Sequence, residues 1–376
     1  MRGALGLALA GVAVGLVCAE LLLRAAGYSV PVFHTPDTTL GWALRPGAHG
    51  LQTSEGRAWV RINSAGMRDR EHAVAKPPGT YRIAVIGDSY AAAVEVDRDS
   101  TFWARLPGHL APCGFAGGRA IEMLNFGVPG YGTAQEYLLL QTRALRYDPD
   151  LVLLVMTLGN DLENNVRELE PVAGRPFYEL TGDGRLRLDR SFRSTWDQSP
   201  MGLFVWDVFG ALVDRVRLLQ LLHDALAKAR AAGARSAGVG AELAPPRDRA
   251  WIDAWRVTER LVLAADTLAR SHGTRLQVVV VSSPVQVTLD TGVVRQLADS
   301  LGEPDLFYPD RRLARLGAAR GIPTVTLGPA MARIARAERL HLHGFGPTLG
   351  SRHWNEAGHR VAALLIARHL CTKSSA

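Results

Sequence analysis

The strongest constraint on the fold is a set of short apolar runs, each ending in a glycine- or serine-containing turn. Tyr81–Ile86 leads into Gly87, Leu151–Thr157 leads into Leu158-Gly159, and Leu276–Val281 leads into Ser282-Ser283. Runs of this length without polar alternation suit strands buried on both faces, as in a parallel sheet. Ala120–Phe126 and Ile322–Val325 complete a set of five expected strands. Helical patterns lie between them, over Tyr90–Leu110, Thr133–Arg146, Trp251–Ser271, Arg311–Arg320 and His359–Leu370. Thr133 and Glu136 have the spacing of a capping box. Strand alternating with helix calls for an α/β fold, a parallel sheet covered on both faces.

Three regions lie outside this rhythm. Residues 1–24 hold an apolar stretch, Gly3–Ala19, that has no charge; Glu20 interrupts it and Arg24 closes it. It is about as long as a membrane-crossing helix needs to be, roughly 20 residues. Arg2 ahead of it favours a cytoplasmic N-terminus, and the expected role is a single-pass anchor. A cleaved signal peptide, with a poor small-residue site at Val17-Cys18-Ala19, and a buried core helix are the alternatives. Gly11 and Gly15 form a small-residue pair of the kind that packs helices together. Residues 25–77 carry several prolines and glycines and look like an extended lead-in, with a turn at Asn63–Arg68. Residues 78–376 form the expected main domain. Within it, about 165–250 breaks the strand–helix order with a hairpin-like piece near Thr181–Arg187, one or two helices between Leu203 and Arg235, and a small-residue linker near Ala231–Gly240. This is read as an insertion over the active-site edge or as an interaction surface.

Composition narrows the function classes. The chain has 376 residues, 47% hydrophobic, enough for a large core; Lys plus Arg is 43 against 36 Asp plus Glu, a net charge of +7. No run of five or more basic residues occurs, so nucleic acid is not an expected partner. Three cysteines, Cys18, Cys113 and Cys371, match no zinc spacing. There is no Walker loop and no credible dinucleotide fingerprint, so neither a metal nor an organic cofactor is expected.

The chemistry-bearing residues all fall where ligands bind on an open α/β sheet, beyond the strands' carboxyl ends. Ile86-Gly87-Asp88-Ser89-Tyr90 places Ser89 at a strand-to-helix junction. Asn125-Phe126-Gly127 follows the second strand and offers the Gly127 backbone N–H. Gly159-Asn160-Asp161 follows the third and offers the Asn160 amide. His353, in His353-Trp354-Asn355-Glu356-Ala357-Gly358-His359, stands before the last helix. Serine, backbone donors, an amide and a histidine on one sheet edge suit nucleophilic acyl transfer with an oxyanion hole.

With these residues in view, the chain resembles the SGNH hydrolases, also called GDSL lipases and esterases, over roughly residues 78–370. Gly87-Asp88-Ser89, Gly127, Asn160-Asp161 and His353-Trp354-Asn355 carry the likeness, and the run Asn125–Gly132 is similar to that of bacterial members with an N-terminal membrane helix. The resemblance implies a flavodoxin-like three-layer α/β/α sandwich of about five parallel strands, with Ser89 as nucleophile, His353 as base, and Ser89, Gly127 and Asn160 as oxyanion donors. It implies an esterase or acyl hydrolase. With the anchor, this points to an O-acylated cell-surface glycan or lipid as substrate, with the domain in the periplasm or outside the cell. An O-acyltransferase and a glycan-binding protein that has lost catalysis are the alternatives. Leu158 stands where the family's asparagine motif carries glycine. The aspartate expected two or three residues before the histidine is also missing, since Ser351 and Gly350 occupy those places; Ser351, a backbone carbonyl of residues 349–351, or a carboxylate from elsewhere must orient the imidazole. In the resembled fold, the helices ending near Cys113 and Cys371 can share one side of the sheet, so the expectation is divided between a disulfide and two free thiols. Asp88 is expected to brace the nucleophile turn, His341 and His343 to be surface or loop residues, and His359 a polar or capping residue. Trp196, Trp206, Trp251 and Trp255 are expected in the core, with sugar stacking as the alternative. Nothing in the sequence sets an oligomeric state.

Overall fold

The computed structural model describes residues 2–170, 174–233 and 240–374. Its elements in chain order are α1 (Arg2–Ala25), β1 (His34–Asp37), β2 (Gly41–Leu44), β3 (His49–Gln52), β4 (Ala58–Arg61), β5 (Thr80–Gly87), α2 (Ser89–Ala92), α3 (Phe102–Leu110), β6 (Ala120–Asn125), α4 (Thr133–Thr142), β7 (Leu151–Met156) and α5 (Leu158–Glu163). There follow β8 (Phe177–Leu180), β9 (Leu186–Asp189), α6 (Pro200–Val213), α7 (Arg217–Gly233), α8 (Arg249–Ser271), β10 (Arg275–Val280), α9 (Pro284–Val287), α10 (Thr291–Leu301), α11 (Tyr308–Arg320), β11 (Thr324–Thr326), α12 (Gly328–Glu338) and α13 (Glu356–Ser374).

Five strands form one parallel sheet in the order β11-β10-β7-β5-β6. Counted within the sheet this is the flavodoxin-like order, whose topological switch lies between β5 and β7. The strands' apolar residues alternate between two cores, as pleating demands. Ala84, Ile86, Leu124, Val152, Leu154 and Val278 join Trp255 and Leu261 of α8 on one face, where α4 and α11 also pack. Ile83, Val85, Met123, Leu153 and Val279 join Phe102 and Trp103 of α3, Met331 of α12 and Ile366 of α13 on the other. The result is the expected three-layer sandwich. Cys113, just past α3, and Cys371 near the end of α13 form a disulfide across 5.9 Å between Cα atoms; it closes a loop of 258 residues, a constraint worth roughly 2–4 kcal/mol.

Several elements depart from expectation. The helix expected over Tyr90–Leu110 stops after one turn, because Ala93 takes a left-handed conformation at φ 51° and residues 93–97 form a loop. The buried Arg68 guanidinium holds that loop by donating to the carbonyls of Ala92 and Val96. The capping box at Thr133 does not form: Gly132 is the cap, and the Glu136 carboxyl turns inward with no hydrogen-bond partner among the described residues. The lead-in contains two antiparallel hairpins, β1–β2 and β3–β4, whose Phe33, Leu44, Val60 and Ile62 are buried in the same core as α4 and α8.

In the 165–250 segment, the β8–β9 hairpin and helices α6 and α7 match the expected pieces, while most of the expected linker, residues 234–239, lies outside the described residues. Helix α1 is long and apolar enough to cross a membrane, and none of its apolar window is buried, which excludes the core-helix alternative.

Candidate active site

The sheet positions the first residue. Strand β5 runs through Gly87, where a Cβ would come 2.8 Å from the Val155 carbonyl oxygen, so only glycine allows this approach to β7. The buried Asp88 carboxylate then accepts from the Tyr90 backbone N–H at 2.9 Å, the Thr157 hydroxyl at 3.0 Å and the Asn160 amide at 2.7 Å. It braces the turn, as expected. Burial raises its pKa, and these hydrogen bonds oppose the rise. Ser89 opens α2 and is itself buried.

His353 arrives from the far end of the chain. Asn355 caps α13 by accepting from the Ala357 and Gly358 backbone N–H groups, and its amide donates to the carbonyls of His341 and Gly344. A Cβ on Gly358 would sit 2.2 Å from the Leu342 carbonyl oxygen. These contacts lock the loop before α13, and His353 reaches the sheet edge with Nε2 2.9 Å from Ser89 Oγ.

The orienting group is Glu55, in the turn between β3 and β4. Its Oε2 lies 2.7 Å from His353 Nδ1 and its Oε1 accepts the His353 backbone N–H at 2.9 Å. The two-point contact fixes the side chain and the loop together. Ser351 does not serve; its hydroxyl donates to the Thr348 carbonyl. A second carboxylate, Glu95, stands 3.4 Å from the same Nδ1. It comes from the loop that interrupts the expected Tyr90–Leu110 helix. Gly56 lets the two acids meet: a Cβ there would fall 2.0 Å from the Glu95 carbonyl oxygen.

The electrostatics of this group are lopsided. Burial disfavours the imidazolium, but Glu95, Glu55 and Asp88 outweigh it and push His353 up to about 9. Burial also acts against Glu55, yet its hydrogen bonds and attraction to His353 leave it below the usual carboxylate range. Glu95, more deeply buried and repelled by Glu55, is raised. Both carboxylates thus favour the imidazolium, Glu55 through its hydrogen bond and Glu95 through its charge, and of the two Glu95 gives up its proton less readily. Glu55, Glu95 and His353 also have their ligand atoms within 4.8 Å of one another. A metal bound there would compete with the contacts that join Ser89, His353 and Glu55.

The expected oxyanion donors reach the same edge, though not all are free. Gly127 is needed for its position, since a Cβ would meet the Ala92 backbone nitrogen at 2.4 Å. Its N–H, however, donates to Asn125 Oδ1 at 3.0 Å. The Asn160 amide spends one N–H on Asp88, and its other N–H meets no partner among the described residues. Beneath them, Glu136 and Asp161 are fully buried; burial first, and nearby acids second, raise both carboxyls well above their usual range.

His343, expected to be a surface or loop residue, does lie in a loop, but it is buried beside Tyr90 and Trp354. Its Nδ1 lies 2.7 Å from the Arg352 carbonyl, and burial lowers it to about 4. It packs behind the site, against Tyr90 Oη at 3.4 Å and Ser282 Oγ at 3.3 Å. His359 does act as a cap, but of α3, accepting from the Phe102 backbone N–H at 3.3 Å.

A cavity of about 290 Å³ opens beside His353 and Asn160, lined also by Tyr90, Ser282, Gln286 and Arg352, with Glu242 and Leu243 from the end of the 165–250 segment. No tryptophan lines it. Trp251 and Trp255 are core residues, Trp206 borders a separate cavity near β1, and Trp196 is exposed.

No protein-family model matches the sequence, and comparison with curated proteins returns no match. Solved structures with a similar course of chain include an acetyl xylan esterase, 11% identical with a TM-score of 0.40 over 78% of this chain and 98% of that one. An acetylxylan esterase from Geobacillus stearothermophilus is 11% identical, TM-score 0.39, over 77% and 94%. A two-domain esterase active on acetylated mannans is 10% identical, TM-score 0.41, over 79% and 50%.

Proposed function

We propose that this chain is a serine esterase working through an acyl-enzyme. The observation that carries this is the continuous contact Ser89 Oγ–His353 Nε2–Glu55, at 2.9 and 2.7 Å. His353 takes the Ser89 proton as Oγ attacks an ester carbonyl, and Glu55 holds the Nδ1–H and stabilises the imidazolium. The charge developing on the carbonyl oxygen is met by the Ser89 and Gly127 backbone N–H groups and the remaining Asn160 N–H. For Gly127 to donate, its bond to Asn125 must be shared or released. The imidazolium then protonates the departing alcohol oxygen, and the C–O bond breaks to leave acyl-Ser89. Water, deprotonated by the same imidazole, attacks the acyl carbon and frees the acid and Ser89. A sugar hydroxyl in place of water would make the same machinery an O-acyltransferase.

The proposed substrate is an O-acylated glycan or lipid of the cell surface. The apolar α1, preceded by Arg2, supports a bacterial inner-membrane anchor with the catalytic domain on the periplasmic side. The Cys113–Cys371 disulfide supports the same side, since such bonds persist in oxidising compartments. The complete relay disfavours a descendant that only binds glycan.

The test is hydrolysis of p-nitrophenyl acetate by the detergent-solubilised full chain and by Ser89→Ala. Turnover in the parent, absent from the variant, is expected; equal turnover in both would remove Ser89 from the mechanism.

A further inference from the structure

Helix α6, PMGLFVWDVFGALV, carries one charged residue, Asp207. A helix that is apolar nearly all round is normally buried on every side or set in lipid. One side of α6 is buried: Gly202, Gly210 and Val213 face the protein, where Arg45 passes over Gly210 to pair with Asp214 at 2.7 Å. The opposite side is bare. Met201, Phe204, Val205, Val208 and Leu212 recur at helical spacing and are all exposed, Phe204 by 63%. Helix α7 continues the pattern with exposed Leu221, Leu222 and Leu226, Leu222 by 56%.

The position of this bare face relative to α1 identifies what covers it. The Glu20 carboxylate of α1 accepts the backbone N–H groups of Arg217 and Leu218, at 3.0 Å each, and so caps α7. Arg24, paired with Glu20, donates to the Arg215 carbonyl between α6 and α7. The uncharged stretch Gly3–Ala19 supplies roughly 25 Å of helix at 1.5 Å per residue, most of the ~30 Å hydrocarbon core of a bilayer. Glu20 and Arg24 therefore fall at the membrane boundary, and they fasten the α6–α7 corner at that depth.

We infer that the exposed faces of α6 and α7 lie in the lipid interface around the anchor, docking the catalytic domain on the bilayer that α1 crosses. The inference rests on the anchor proposed above. A helix with one face on protein and an apolar face in the acyl–headgroup boundary satisfies both sides, and exposed Lys228 on α7 suits the phosphate level. Docking would hold the domain in one orientation and keep its cavity near acyl esters displayed at the membrane surface.

The test uses the full chain in phosphatidylcholine nanodiscs. Cys18 is the free cysteine and the other two are bonded, so single thiols can be placed in a Cys18→Ser background. An environment-sensitive nitrobenzoxadiazole probe is attached at Phe204→Cys, Leu222→Cys or Val293→Cys, the last an exposed position on α10; native Cys18 is labelled as the anchor control. Doxyl-labelled lipids should quench the probes at 204, 222 and 18 and leave the one at 293 bright. Bright, water-like emission at 204 and 222 with quenching at 18 would overturn docking and leave the anchor standing. No quenching at 18 would overturn both. Blue-shifted but unquenched probes at 204 and 222 would mean that a second protein copy covers the face, and equal quenching at 293 would mean that the face is not distinguished; either result overturns docking.

Discussion

The two halves of the Ser89–His353–Glu55 relay are built differently. On the sheet side, Gly87, Asp88, Ser89, Gly127 and Asn160 lie at the strand ends, and backbone geometry leaves them little freedom: both glycines stand where a Cβ would collide with the backbone of another segment. On the other side, the carboxylates come from outside the sheet's repeating pattern. Glu55 sits in a hairpin turn of the segment before the first sheet strand, and Glu95 in a loop where an expected helix breaks. Ser89 and the proposed oxyanion donors are thus fixed by topology. The acid is fixed by how the 25–77 hairpins pack on the sandwich. An acid absent from its expected place before the histidine need not be absent from the site.

Four substitutions separate these halves, from the largest effect to the smallest. Ser89→Ala removes the nucleophile and should abolish ester turnover while leaving the thermal transition near the parent's; residual turnover above a few thousandths of the parent would break the sheet half of the account. Glu55→Gln keeps the shape but removes the charge on Nδ1. It should lower kcat roughly 100- to 10,000-fold with little change in KM, the range of a lost orienting or general-base partner. A silent Glu55→Gln would mean that Glu95 alone serves. Gly56→Ala places a methyl against the Glu95 carbonyl and must displace the turn. A shift of about 1 Å at reacting groups costs on the order of 100-fold, and kcat measured against folded protein by circular dichroism would show it.

Glu95→Gln should change the pH profile more than the maximum rate. Glu95 and Glu55 both stabilise the imidazolium, which brings His353 to about 9, and His353 acts as a base only when neutral. Parental activity should therefore climb as pH rises towards and through 9. Losing the Glu95 charge should move that limb to lower pH, nearer the ordinary histidine value of about 6.5. A limb that stays put would show that Glu95 already carries its proton in the working enzyme.

Much of the sheet half was legible in the sequence because its determinants are local. Buried strands read as unbroken apolar runs, and the residues after each run are where ligands bind, so Ser89, Gly127 and Asn160 share one edge on the sequence alone, with His353 joined to them by its Trp354-Asn355 context before the last helix. The acid was not legible, because no spacing links a hairpin turn to a loop near the C-terminus. The sole hint is that Glu55 is the only acid between Asp37 and Asp69 and is followed by glycine. Glu95 was hidden for another reason. Tyr90–Leu110 has helical spacing throughout, and the break at Ala93 depends on the Arg68 guanidinium and the close approach of Gly127, both contributed from elsewhere. The loop position of His343 is legible, but its burial is not, because a histidine in a glycine-rich loop gives no sign of burial; only the folded loop against Tyr90 and Trp354 does.

The claim that a hairpin acid completes the relay is tested most directly by the rate at which a fluorophosphonate labels Ser89, followed by mass spectrometry in the parent and in Glu55→Gln. The reagent reads nucleophile activation without needing the natural substrate. The account predicts a single labelled site at Ser89 in both proteins, and a second-order labelling rate at pH 8 that falls roughly 100-fold or more in Glu55→Gln. Labelling of the two proteins at the same rate would contradict it.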